Sequence, residues 1–247
     1  MTLRVLIGAL MVLKALDAPS EAGQTNVAVA ANFTEPAKEI AALFNQKTGH
    51  EAILSFGASG AFFAQITHEA PFQVFLSADA VRPKAAIDAG YAVPGSEFSY
   101  AVGKLVLWSK VVDVTNGDEA LKAGGFSKLS IANPNAAPYG AAAIETMKAL
   151  GVYDTLAAKI VQGESIAQAF QFVDTKNAEV GFVALSQLIG VTSGTRWLVP
   201  QELYAPIRQD AVLLKKGEND GASKAFLEFL KGPEARAIIE KFGYALD

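Results

Sequence analysis

The stretch Asn26–Phe44, NVAVAANFTEPAKEIAALF, decides the fold class. Its first part, Asn26–Ala31, is a short apolar run of strand length. Small residues and Asn32 follow, Thr34 can cap a helix, and Pro36 is tolerated in a first turn. Ala37, Ile40, Ala41 and Phe44 then recur at helical spacing up to a stop at Gly49. Downstream, Glu51–Phe56 reads as a strand, Gly57–Gly60 (GASG) as a turn, and Phe62, Phe63 and Ile66 as the start of a helix. Phe72–Asp79 predicts a third strand, and a helix through Ala85–Ile87 leads to Gly90. Strands are expected again at Lys104–Trp108, Lys128–Ala132, Lys159–Val161, Val180–Ala184 and Asp210–Leu214. Helices are expected after Asn133–Gly140 (through Ile144, Met147 and Leu150) and over Glu164–Val173. The C-terminal FLEFLKGPEARAIIEKFGY reads as two helices broken at Gly232–Pro233. This alternation predicts an α/β protein with largely parallel sheets.

Composition narrows the function. The 247 residues are 51% hydrophobic and 19% charged, which fits one large domain or two lobes and excludes a disordered chain. With 21 Lys+Arg against 25 Asp+Glu the net charge is −4, so no basic excess exists for nucleic acid. The absence of cysteine excludes disulfides, thiolate metal sites and a cysteine nucleophile. His50 and His68 are the only histidines; each reads as a solvated surface residue. Trp108 and Trp197 read as packing residues, and Lys215–Lys216 as a solvated strand end. Neither G-x-x-x-x-G-K-[ST], G-x-G-x-x-G nor G-x-S-x-G occurs.

Residues 1–22 read as an export leader. Arg4 precedes the apolar run Val5–Leu13, too short to span a bilayer, and Ser20 and Ala22 suit cleavage after Ala22. A soluble, exported mature chain is expected, in a periplasm.

The chemistry is expected where strands give way to helices. Ala30–Thr34, Gly57–Ala61, Pro138–Ala143 and Gly163–Ala167 are small-residue turns that open helices. A helix start offers free N–H groups and the positive end of the dipole, which suits an anion. Asn32 and Ser59 add side-chain donors. Each turn alone reads as ordinary capping; spacing does not establish that they converge.

At VAVAANFTEPAKEIAALF, ILSFGASGAFFAQI, FQVFLSAD and AEVGFVALS, and along the C-terminal segment, the chain resembles the periplasmic molybdate-binding proteins of bacterial ABC importers, which belong to the type II periplasmic solute-binding proteins. The resemblance implies a two-lobed periplasmic-binding-protein fold joined by crossing strands, with lobe one over 24–103 plus 210–247 and lobe two over 104–209. It implies that Asn32, Ser59, Tyr139 and Ile166 hold an oxyanion, the last two through backbone N–H groups. Molybdenum would enter only as molybdate, with no direct protein ligands, no catalytic residue and no cofactor. Tungstate is an equal candidate ligand, and the implied partner is an inner-membrane ABC permease, met as a monomer.

The chain departs from the family pattern at Asn32 (a serine there), Tyr139 (a small residue), Ala184 (often a tyrosine donor) and Gln73 (usually aspartate, a change expected to affect packing). The Tyr139 hydroxyl would replace the donor missing at Ala184, cover the cleft mouth, or pack on the rim. Neutral donors suit a fully deprotonated dianion, whose oxygens only accept. Competing expectations are a binder of another tetrahedral oxyanion such as sulfate, an enzyme on the same fold, and a sensor subunit without a tight ligand.

Overall fold

The computed structural model describes residues 22–246, so the leader read over 1–22 lies almost wholly outside the described residues. The chain runs β1 (Gln24–Ala30), α1 (Thr34–Thr48), β2 (Glu51–Gly57), α2 (Ser59–Thr67), β3 (Val74–Leu76), α3 (Val81–Asp88) and β4 (Phe98–Gly103). It continues through β5 (Leu105–Ser109), α4 (Gly117–Ala123), β6 (Leu129–Ala132), α5 (Pro138–Ala149), α6 (Tyr153–Leu156), β7 (Ile160–Gly163), α7 (Ile166–Asp174), β8 (Val180–Ala184) and β9 (Thr195–Leu198). It closes with β10 (Ile207–Leu213), α8 (Gly221–Lys231) and α9 (Pro233–Lys241).

Two five-stranded sheets result, ordered β2-β1-β3-β10-β4 and β7-β6-β8-β5-β9. The chain leaves the first sheet between β4 and β5 and returns between β9 and β10. In the first sheet β1 pairs in parallel with β2 and β3; in the second, β6 does so with β7 and β8. The pairings of β10 and β5 are antiparallel, so each sheet is mixed rather than uniformly parallel. The antiparallel members include the strands next to the crossings, because a chain that steps from one sheet to the other makes no βαβ return there.

Alternation along β1 sends its side chains to two different cores. Val27 and Val29 pack with Phe33, Ile40 and Phe44 of the first helical segment and Phe226 of α8. Ala28 faces Phe62 of α2, together with Phe75 and Val212. A strand covered on both faces reads as a continuous apolar run, as VAVA does. In the second sheet, Trp108 is buried and stacks on Phe170, with ring centroids 5.0 Å apart.

Local departures from the sequence reading have identifiable causes. The first helical segment begins as a 3-10 turn at Ala31–Phe33, before Thr34; the Thr34 hydroxyl donates back to the Ala31 carbonyl instead of capping. β3 covers only Val74–Leu76 of the expected Phe72–Asp79. His50 is buried, not solvated: its Nδ1 accepts the Gly23 N–H at 2.9 Å and its ring stacks on Phe44. His68 is exposed at the end of α2.

Candidate functional site

The parallel strands of both sheets end facing one another, at β1, β2 and β3 on one side and β6 and β7 on the other. Carboxyl ends of parallel strands are where α/β proteins place ligands. A small cavity lies there, lined by Ala30–Asn32, Gly57–Ser59 and Ala78 from the first sheet and by Ala137–Tyr139 and Ile166 from the second. All four helix-opening turns singled out in the sequence therefore meet at one place, and Asn32, Ser59, Tyr139 and Ile166 all border it. The cavity is small, on the scale of a single water-sized group.

The lining carries no charged side chain. What it presents is the N-terminal ends of four helical segments, whose first N–H groups lack intrahelical acceptors. Each end carries partial positive charge, so the cavity favours an anion without a cation beside it.

Ser59 is buried and its Oγ accepts the Ala78 N–H at 2.9 Å. That bond leaves the hydroxyl hydrogen to be donated into the cavity. Asn32 behaves differently from the sequence expectation of a side-chain donor to the ion. Its amide nitrogen donates to Gln209 Oε1 at 2.8 Å and to the Tyr244 hydroxyl at 2.9 Å, which uses both hydrogens. The donor Asn32 has left for the cavity is its backbone N–H in the opening turn.

Tyr139 is neither a lid nor a rim residue. Its side chain is fully buried, and its hydroxyl accepts from Gln209 Nε2 at 3.3 Å. The hydroxyl lies where the chain crosses between sheets: a Cβ at Gly103 would stand 2.1 Å from it, so that crossing position accepts only glycine. Burial pushes the Tyr139 and Tyr100 hydroxyls well above their ordinary pKa and the Tyr244 hydroxyl up to about 12. All three remain protonated donors at neutral pH. Ile166 opens α7, and Ser165 caps that helix by accepting the Gln168 N–H.

Two supporting residues carried no sequence signal. Gln187 accepts the Ala184 N–H through Oε1 at 2.9 Å and donates to the Ile166 carbonyl through Nε2 at 3.1 Å, tying the end of β8 to the start of α7. Gln209 links Asn32, Tyr100 and Tyr139 from β10. Gln73 lies away from the cavity and accepts the Asn26 N–H at 2.8 Å.

Two mixed sheets joined by crossing strands, with a small cavity between them, are the architecture of an extracellular solute-binding protein. The chain belongs to the bacterial extracellular solute-binding protein family, whose model matches residues 25–245. It is 58% identical over 246 residues to the molybdate-binding protein ModA of Rhodobacter capsulatus, covering 100% of this chain and 98% of that one. Against ModA of Azotobacter vinelandii the identity is 52%, over 92% of each chain. The solved structure of the Azotobacter vinelandii periplasmic molybdate-binding protein superposes with a TM-score of 0.87 at 39% identity, over 90% of this chain and 99% of that one. The sulfate-binding protein SubI of Mycobacterium tuberculosis shares the fold, with a TM-score of 0.74 at 13% identity over 90% of this chain and 86% of that one.

Proposed function

We propose that this chain is an extracytoplasmic binding protein that captures molybdate or tungstate between its two sheets and delivers it to an inner-membrane ABC permease. The observation that carries this reading is the convergence of four helix-opening turns on one cavity with no charged side chain in its lining. Relatives that are 58% and 52% identical are named for molybdate binding, which supports the choice of oxyanion.

Ser59 donates its hydroxyl to the ion, while Asn32, Tyr139 and Ile166 donate backbone N–H groups. These dipoles are fixed before the ion arrives, so they replace its hydration shell at little cost in reorganisation. An acceptor group in the lining would repel a dianion, and the lining has no carboxylate. Binding is favoured over catalysis because Ser59, the one hydroxyl nucleophile at hand, has no histidine or carboxylate base in the lining. Two lobes, one over 24–103 plus 210–247 and one over 104–209, close over the ion and exclude water.

The protein acts in the periplasm as a monomer after removal of residues 1–22. Among the described residues no helix is long and apolar enough to cross a membrane. Intact-mass measurement of the periplasmic protein checks the processing: the mature chain begins near Gly23, and a full-length mass contradicts the cleavage. Native mass spectrometry with molybdate, tungstate, sulfate and phosphate tests the function. One molybdate or tungstate retained per chain, with sulfate and phosphate lost, is the expected result. Retention of sulfate alone, or of no oxyanion, overturns it.

A further inference from the structure

The cavity is flanked on both sides by hydrogen bonds that run from one sheet's elements to the other's. On one flank the Gly60 N–H, in the first turn of α2, donates to the Ala136 carbonyl before α5 at 2.9 Å. Beside it the Arg82 guanidinium, held by Asp79, donates to the Asn135 carbonyl at 2.8 Å. On the other flank Ser186, just past β8, donates through Oγ to the Asn32 carbonyl at 2.7 Å. The Tyr244 hydroxyl lies 2.8 Å from that carbonyl and 3.0 Å from Ser186 Oγ. Neither Gly60, Arg82 nor Ser186 lines the cavity.

Gly60 has no conformational need to be glycine: its φ lies outside the left-handed range, and it occupies a helix, where alanine is the better residue. Its constraint comes from across the cleft. A Cβ there would stand 2.9 Å from Ala136 Cα and 3.1 Å from Ala136 O, on backbone that has no rotamer with which to yield. The Ala136 atoms belong to the opposite side, so the conflict with backbone exists only when the two sides are together; the remaining close atom, Arg82 Nη2 at 3.0 Å, is the movable end of a side chain on Gly60's own side.

We propose that Gly60 and Ser186 are positioning residues that set the lifetime of the closed, ion-holding state without touching the ion. This rests on the oxyanion-binding reading above. Encounter takes place with the open form, so the association rate is indifferent to contacts that form later; release requires those contacts to break. Gly60→Ala is a wedge against closure. Ser186→Ala removes the donor to Asn32, whose turn faces the ion, and leaves that carbonyl the Tyr244 hydroxyl alone.

The test is exchange of bound molybdate for excess tungstate, followed by native mass spectrometry, with Kd from calorimetry. Expected are dissociation about tenfold or more faster for Gly60→Ala and about threefold to tenfold faster for Ser186→Ala. The derived association rates stay within about twofold of the parent. The ligand-free melting temperature of Gly60→Ala stays level or rises, since alanine favours the helix; a simple packing defect would lower it. Parental exchange rates in both variants overturn the proposal, as does a loss of affinity carried by slower association. Failure of the parent itself to retain any oxyanion refutes the underlying reading instead.

Discussion

At the scale of single residues, Ser59 and Asn32 look alike in the sequence and separate in the structure. Ser59 has a hydroxyl hydrogen left to give, because its bond with the Ala78 N–H is one it accepts. Ser59→Ala is expected to weaken molybdate binding by about 10- to 150-fold in calorimetric titration, the cost of losing a donor to a buried charge. Asn32 has spent both amide hydrogens on Gln209 and Tyr244. Tyr139 is placed by its surroundings: its hydroxyl is buried against Gly103 and accepts from Gln209. Its hydroxyl is engaged with Gln209 behind the cavity, so Tyr139→Phe leaves the Gln209 amide a buried donor without its partner. That variant is expected to lose about 1–2 kcal/mol of stability in denaturant titration while its molybdate affinity changes less than about threefold. A large affinity loss with unchanged stability would return the hydroxyl to the ion. The β8 end reaches the site through Ser186 and Gln187, which bond to the backbones of Asn32 and Ile166.

At the scale of elements, the turns were legible because strand, small residues and helix follow one another in each. The run VAVAANFT shows a buried central strand ending in a helix opening, and Gly49 and Gly232–Pro233 mark helix ends that the structure keeps. β4 and β9 were not legible. Thr195–Leu198 is half polar, with three residues partly buried and Leu198 exposed, so its strand character comes from pairing with β5, not from its own pattern. Short α4 and α6 likewise lack enough turns to show a period. The site's outline was visible, but its wiring was not, since Gln209 and Asn32 are 177 positions apart and only tertiary structure joins them. Gln187 belongs to this hidden class. Gln187→Ala removes the partner of the buried Ala184 N–H and the tie to the first turn of α7. Expected are a stability loss of about 1–2 kcal/mol and an affinity loss of about threefold to tenfold, read by thermal melting and calorimetry. Unchanged affinity would mean that α7 needs no such support to present the Ile166 N–H.

At the scale of the whole molecule, two sheets are held together by a tyrosine-rich polar cluster beneath the cavity. That cluster gives stability a defined alkaline limit. The unfolded Tyr244 ionises near 10.0, whereas the folded hydroxyl holds its proton to about 12, because burial disfavours the phenolate. Between these values the unfolded chain releases a proton that the folded chain keeps, so unfolding gains. The Tyr244 contribution, ~2–3 kcal/mol, is fully present below pH 10 and is lost as the pH rises toward 12. Thermal melts from pH 8 to 11.5 are expected to fall less steeply above pH 10 for Tyr244→Phe than for the parent. Parallel curves would mean that Tyr244 is ordinarily accessible to base in the folded state.

The central claim is that four helix openings, without a charged side chain, hold one oxyanion between the sheets. Its most direct test is a crystal structure of the mature protein with molybdate, using the anomalous scattering of molybdenum to locate the ion. The account predicts a single strong peak in the cavity, with ion oxygens within hydrogen-bonding distance of Ser59 Oγ and of backbone nitrogens at Asn32, Tyr139 and Ile166. A peak outside that cavity, or an ion held by a lysine or arginine side chain, would contradict it.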